Sequence, residues 1–150
     1  MKYSFLLLLL LSTVISAANA ESPSYKILFG VIEKDQQTGN PQIKETVIIP
    51  LKLKSTGFEF GFEIIPPDNQ PYTYQSIVHT PSPPQHIGGI AEKDNPDQHA
   101  LVGKTPVQNG VGPYMQPTWF DSGDPLGEWK IDVLVNGKLV KTITFTVVAS

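Results

Sequence analysis

Apolar and polar residues alternate over much of this chain, and the alternation marks strands. Across Gly57–Ile65, Phe58, Phe60, Phe62 and Ile64 fall on one parity while Glu59, Gly61 and Glu63 fall on the other. That period of two belongs to a strand with one buried and one wet face. Just upstream, Val47, Ile49, Leu51 and Leu53 share a side. A hairpin between the two must set an odd-numbered apolar set against an even-numbered one. The four-residue loop Lys54–Gly57 does so, opposing Leu53 to Phe58 and Ile49 to Phe62. It leaves Gly57 at the loop end, where a positive φ is often needed, and Pro50 is expected at an edge or bulge.

The carboxyl end predicts a second hairpin. Trp129, Ile131 and Val133 alternate with Lys130 and Asp132, and Leu139, Ile143 and Phe145 follow after Asn136-Gly137. A two-residue turn would oppose Trp129 to Thr144 and mix the faces. A three-residue loop, Val135–Gly137, opposes Trp129 to Ile143 and is the expectation here, with Gly137 left-handed in a bulged turn. Two further strands are expected: one carrying Tyr25, Ile27, Phe29 and Val31, and a weaker one over Tyr72–Thr80, interrupted at Ser76. Regular alternation fades after Thr80, and eleven of the 14 prolines lie between Pro66 and Pro125. Proline donates nothing to a ladder and restricts its predecessor, so ordered loop or short edge segments are expected there. No window carries a capped helical period. The predicted class is all-β, an antiparallel immunoglobulin-like β-sandwich with a long Pro/Gly-rich loop region.

The amino terminus changes where this domain is expected to act. Lys2, the unbroken apolar run Phe5–Leu11 and the closing Ala18-Asn19-Ala20 follow the order of a secretory signal peptide. The run is shorter than the ~20 residues of a membrane span. Cleavage is expected after Ala20, leaving one domain over 21–150 in the periplasm or outside the cell. No cysteine follows the cleavage site, so no lipid anchor is expected after processing. Neither disulfides nor thiol chemistry enter. The formal net charge is −3, one unit more negative without Lys2, and every cation is a lysine. An acidic chain without arginine suits neither nucleic acid nor anionic lipid.

Candidate chemistry is sparse. His79, His86 and His99 are separated by seven and thirteen residues, spacings that match no helical or hairpin metal pair. Zinc or copper would need them gathered from a folded loop, with Asp94 or Asp97 as a further ligand. Asp121, Asp124 and Glu128 lack a full calcium-loop pattern and are first of all turn residues. No serine lies in a nucleophile elbow, and Glu59 and Glu63 belong to a wet strand face. No catalytic residue and no cofactor are therefore expected. Tyr114, Met115, Trp119 and Phe120, with His86, are the candidate surface for a protein or envelope partner; buried, the aromatics would close one end of the sandwich instead.

Phe60-Gly61-Phe62, the segment Val78–Pro84, and the run from Gly127-Glu128-Trp129 into the last hairpin together resemble a bacterial secreted domain family of unknown function. The resemblance implies an immunoglobulin-like sandwich in which Phe60, Gly61 and Phe62, His79 with Pro81, and Gly127 with Trp129 are framework. It transfers no catalytic residue. Gly57 and Gly137 join these as structural positions through their turns. The function expected is a non-enzymatic binding or interaction module working through the loops between Thr80 and Pro125. The alternative is a metal-binding protein using the loop His79–His99.

Overall fold

The computed structural model describes residues 24–84 and 101–150. The leader, His86 and His99 lie outside the described residues. Ten strands are present among the described residues: β1 Lys26–Lys34, β2 Pro41–Glu45, β3 Ile48–Pro50, β4 Glu59–Ile65, β5 Tyr72–His79, β6 Val102–Lys104, β7 Gln108–Gly110, β8 Tyr114–Thr118, β9 Gly127–Val135 and β10 Lys138–Val148. Among the described residues, helix is limited to a 3-10 turn at Lys54–Thr56. The strands form two sheets, in the orders β2-β1-β4-β8 and β3-β10-β9-β5-β6, with β7 also on β5.

The alternation sets the core. From the first sheet, Ile27, Phe29, Phe60, Phe62 and Ile64 point inward, each no more than 6% exposed. Trp129, Ile131, Val133, Ile143, Phe145 and Val147 meet them from the second sheet. Phe60 stacks on Phe120 at 4.5 Å between ring centroids, and Phe29 lies 4.8 Å from Phe145 across the sandwich. Each such ring contributes about 1.5–3 kcal/mol by leaving water, so this seam between the sheets holds the sandwich together.

Two hairpin expectations are corrected. β3 and β4 do not pair; they lie in different sheets. β3 runs parallel to β10, with Thr146 opposite Ile48, while β4 pairs antiparallel with β1 and β8. The 3-10 turn, closed by Gly57 at φ 75°, carries the chain between the sheets. Matching parity was a necessary condition for that hairpin and not a sufficient one, because Ile49 reaches the same core from the opposite layer.

The last hairpin has a two-residue turn, not three. Lys138 pairs with Val135, and Asn136 and Gly137 both take left-handed backbone, φ 50° and 72°. The register then shifts at a bulge between Leu139 and Lys141, bringing Ile143 opposite Ile131 and Phe145 opposite Trp129. The demand for like faces is met, but by the extra residue Val140. Ser76 does not interrupt β5: it points inward at 4% exposure. Its N–H donates to the Thr105 hydroxyl at 2.9 Å while Thr105 N–H donates to Ser76 O at 3.0 Å. Thr105 thereby continues the ladder beside Pro106, which has no N–H.

Candidate binding surface

The four tyrosines among the described residues gather at one end of the sandwich. Strands β1, β5, β8 and β10 begin there, and β4 and β9 finish there. Tyr25 meets Tyr72 at 5.5 Å, Tyr72 meets Tyr74 at 6.2 Å, and Tyr74 meets Tyr114 at 4.5 Å. Tyr72 and Tyr74 are 2% and 4% exposed, whereas Tyr25 and Tyr114 are half-buried. The phenylalanines fill the centre, and Phe120 with Trp129 close the opposite end. This sorting has a physical basis, because a phenol can close an apolar layer while its hydroxyl reaches a partner or water.

The end is stiff. Tyr72 donates its hydroxyl to Gly112 O at 2.9 Å and lies against Gly110, where an added Cβ would come 2.7 Å from its ring. Burial, with Tyr25 and Tyr114 nearby, pushes the Tyr72 phenol up; burial and a hydrogen bond with Tyr114 push Tyr74 higher still. Both phenols stay neutral. The surrounding turns are short: the Asn136 side chain accepts from Thr73 N–H at 2.9 Å, and Asp68 accepts from Gln70 N–H at 3.0 Å. Gln108, opposite Tyr74 in the ladder, keeps a buried Nε2 without a hydrogen-bond partner among the described residues.

The aromatic group expected from sequence is split. Tyr114 and Met115 open β8 at the tyrosine end, whereas Trp119 and Phe120 follow the far end of the strand, about 17 Å away at strand rise. Phe120 is fully buried, stacked on Phe60 and bridged to Leu53, so it belongs to the core and not to a partner surface. Trp119 is half-buried with Lys54 Nζ 3.6 Å above its ring. This contact ties the segment after β8 to the 3-10 turn.

His79 ends β5 with its Nε2 2.9 Å from Asp132 Oδ2, while the Thr142 hydroxyl donates to Asp132 Oδ1 at 2.6 Å. Thr142 first, then His79, holds the Asp132 carboxyl below the usual carboxylate range. The array lies on the open outer face of the second sheet. No group of three or more metal-ligating side chains occurs among the described residues. His86 and His99, and with them the gathering a metal would require, fall outside those residues. Asp121 N–H donates to Asp124 Oδ2 at 2.8 Å, and burial raises the Asp124 carboxyl; the acids here shape a turn. Gly127 has φ 118° and faces Pro81, and Trp129 donates Nε1–H to Pro125 O at 3.0 Å. The framework positions Pro81, Gly127 and Trp129 thus meet at one corner.

A family model described as the PM0630 beta sandwich domain matches residues 27–148. No curated protein matches the chain. Among solved structures, an immunoglobulin-like protein from Pseudomonas aeruginosa superposes with a TM-score of 0.54 at 21% identity, covering 82% of this chain and 92% of that one. That likeness concerns the fold. An alkylpurine DNA glycosylase from Pseudomonas fluorescens, bound to DNA, overlaps at a TM-score of 0.38 and 15% identity; 84% of this chain and 31% of that chain are covered. So loose a match carries no argument about activity.

Proposed function

The chain belongs to the PM0630 beta sandwich domain family, and on that premise we propose that it is a non-enzymatic binding module acting in the periplasm or outside the cell. One observation carries the reading. Half-buried tyrosines stand on buried ones at one end of a rigid immunoglobulin-like sandwich, among short turns. Aromatics held in fixed rotamers lose little entropy when a partner covers them, which is what recognition surfaces exploit. The location outside the cytoplasm is supported by the Lys2–Ala20 pattern, and the likeness to secreted bacterial domains by the Gly127–Trp129 corner.

Crosslinking through a photoreactive group at position 25 or 114, in cells secreting the full chain, tests this. A discrete adduct is expected from those positions and not from position 52. Adducts of equal yield at all three would remove the reading. Amino-terminal sequencing of the exported protein should begin at Glu21.

A second reading, metal binding centred on His79, is favoured by the Asp132 carboxylate that orients the ring, as carboxylates do for ligand histidines. Elemental analysis and melting with and without chelator test it. Protein purified without metal and indifferent to chelator would dismiss it.

A further inference from the structure

Charge is unevenly distributed along the sandwich, and the imbalance bears on what the tyrosine end binds. At the level of its turns the described residues carry three exposed cations. Lys26 opens β1, Lys138 follows the Asn136-Gly137 turn, and Lys141 reaches across the mouth with Nζ 3.0 Å from Ile27 O. The acid at that level is Asp68, with Glu63 one step down the outer face of the first sheet. The opposite end carries Glu33, Asp35, Glu59, Asp121, Asp124 and Glu128 together with Lys34, Lys44, Lys52, Lys54 and Lys130, Lys44 Nζ lying 3.8 Å from Glu33, so lysines there stand among a greater number of acids. A chain with formal net charge −3 thus places exposed lysines around its tyrosine end.

Two apolar side chains are exposed at the same end. Val111 and Leu139 are 67% and 60% exposed beside the β7–β8 connection and the β9–β10 turn. Cations, tyrosine faces and aliphatic groups on short turns complement an extended protein segment that interleaves carboxylates with apolar residues. Coulomb attraction would steer such a segment, and the rings would hold it.

We propose that the tyrosine end, rimmed by Lys26, Lys138 and Lys141, is the docking site for an acidic, extended segment of a partner protein. This rests on the binding-module reading and names the class of partner for the same surface. Lys26 and Lys138 are exposed and make no side-chain hydrogen bond or ion pair among the described residues, so their charge is reversible with little risk to folding. Lys141 is left alone because it holds Ile27 O.

The test is a titration of the isotopically labelled, processed full chain with a short peptide alternating glutamate with leucine and proline. The same peptide with lysine for glutamate, and vesicles containing phosphatidylglycerol, are the comparison arms. Amide shifts are expected to cluster around Tyr25, Tyr114 and Leu139. Affinity should fall roughly tenfold or more in the Lys26→Glu, Lys138→Glu double variant, fall with added salt, and stay unchanged in Lys52→Glu. Unchanged thermal melting in both variants guards against a folding artefact. Equal binding of the lysine peptide, shifts centred elsewhere, no binding of the acidic peptide, or an unaffected double variant would each overturn the assignment. So would lysine-dependent binding of the vesicles without the peptide, which would make the surface a lipid site. If crosslinking from positions 25 and 114 succeeds while charge reversal has no effect, the acidic partner falls and the binding surface stands.

Discussion

Gly30 and Gly61 sit opposite each other on β1 and β4, facing out of the first sheet. A Cβ at Gly61 would lie 2.0 Å from Gln116 O, and one at Gly30 the same distance from Lys44 O. The neighbouring strands therefore lean over the outer face onto bare backbone, and any side chain there must push a strand away. Gly61→Ala should cost about 1–3 kcal/mol, read as a lowered denaturation midpoint at unchanged slope; a neutral result would show that β8 yields freely. Two carboxylates test the electrostatics with opposite signs. Asp132 titrates below the ordinary 3.8 when folded, so its contribution is present above that value and is lost as pH falls through the lower folded one. Asp132→Asn should lose that acid-limb dependence. Asp124 titrates above 3.8 because burial disfavours its charge, so the folded chain loses stability as pH rises from 3.8 through the higher folded value. Asp124→Asn retains an acceptor for Asp121 N–H and should raise the melting temperature at neutral pH, with the gain vanishing in acid. A gain that persisted below that range would mean burial of the charge is not the cause.

At the level of elements, the bulge in β10 decides how the last hairpin meets the core. Val140 is the residue without a partner in the ladder, and from Lys141 onward each inward residue faces an inward residue of β9. Deleting Val140 should therefore leave Ile143 opposite Ile131 and Phe145 opposite Trp129, with loss limited to the extra twist that a bulge supplies. Retained cross-strand contacts between Phe145 and Trp129 in an NMR spectrum would bear this out, and an unfolded chain would not. The same hairpin shows what could be read in the sequence. Alternation identified β1, β4, β5, β9 and β10, and parity required Trp129 and Phe145 to lie on one face, but nothing local says whether a longer turn or a bulge supplies the odd residue. Partners of short strands were less legible still. β3 offers three residues that satisfy either β4 or β10, and the choice comes from the 3-10 turn that moves the chain between layers. β6, β7 and β8 lie in the Pro/Gly-rich region, where alternation is too brief to register. Ser76 read as a break because its partner, the Thr105 hydroxyl, lies 29 residues away. The tyrosine end was hidden for the same reason: Tyr25, Tyr72, Tyr74 and Tyr114 come from two strands and the approach to a third, and only topology brings them together.

For the whole molecule, each of the four sheet edges carries a proline. Pro41 opens β2 and Pro117 lies in β8, the two edges of the first sheet; Pro50 ends β3, and Pro106 separates β6 from β7 on the second. A residue without an N–H leaves gaps in the row of donors that an incoming strand would use. β2 adds charge, with Lys44 and Glu33 3.8 Å apart on its surface. Closed edges favour recognition through the ends of the sandwich over strand addition, which agrees with a docking surface built on turns and rings. They also withhold backbone donors from a second copy of the chain, which matters in a sandwich that has no disulfide to hold an edge once it begins to pair. Restoring donors should reverse this. A Pro106→Thr, Pro117→Thr variant is expected to fold, because both sites lie at edges, yet to associate with rising concentration where the parent chain does not. Sedimentation velocity over a concentration series reads the difference. A variant that stays monomeric at every concentration would show that charge and strand twist protect these edges without the prolines.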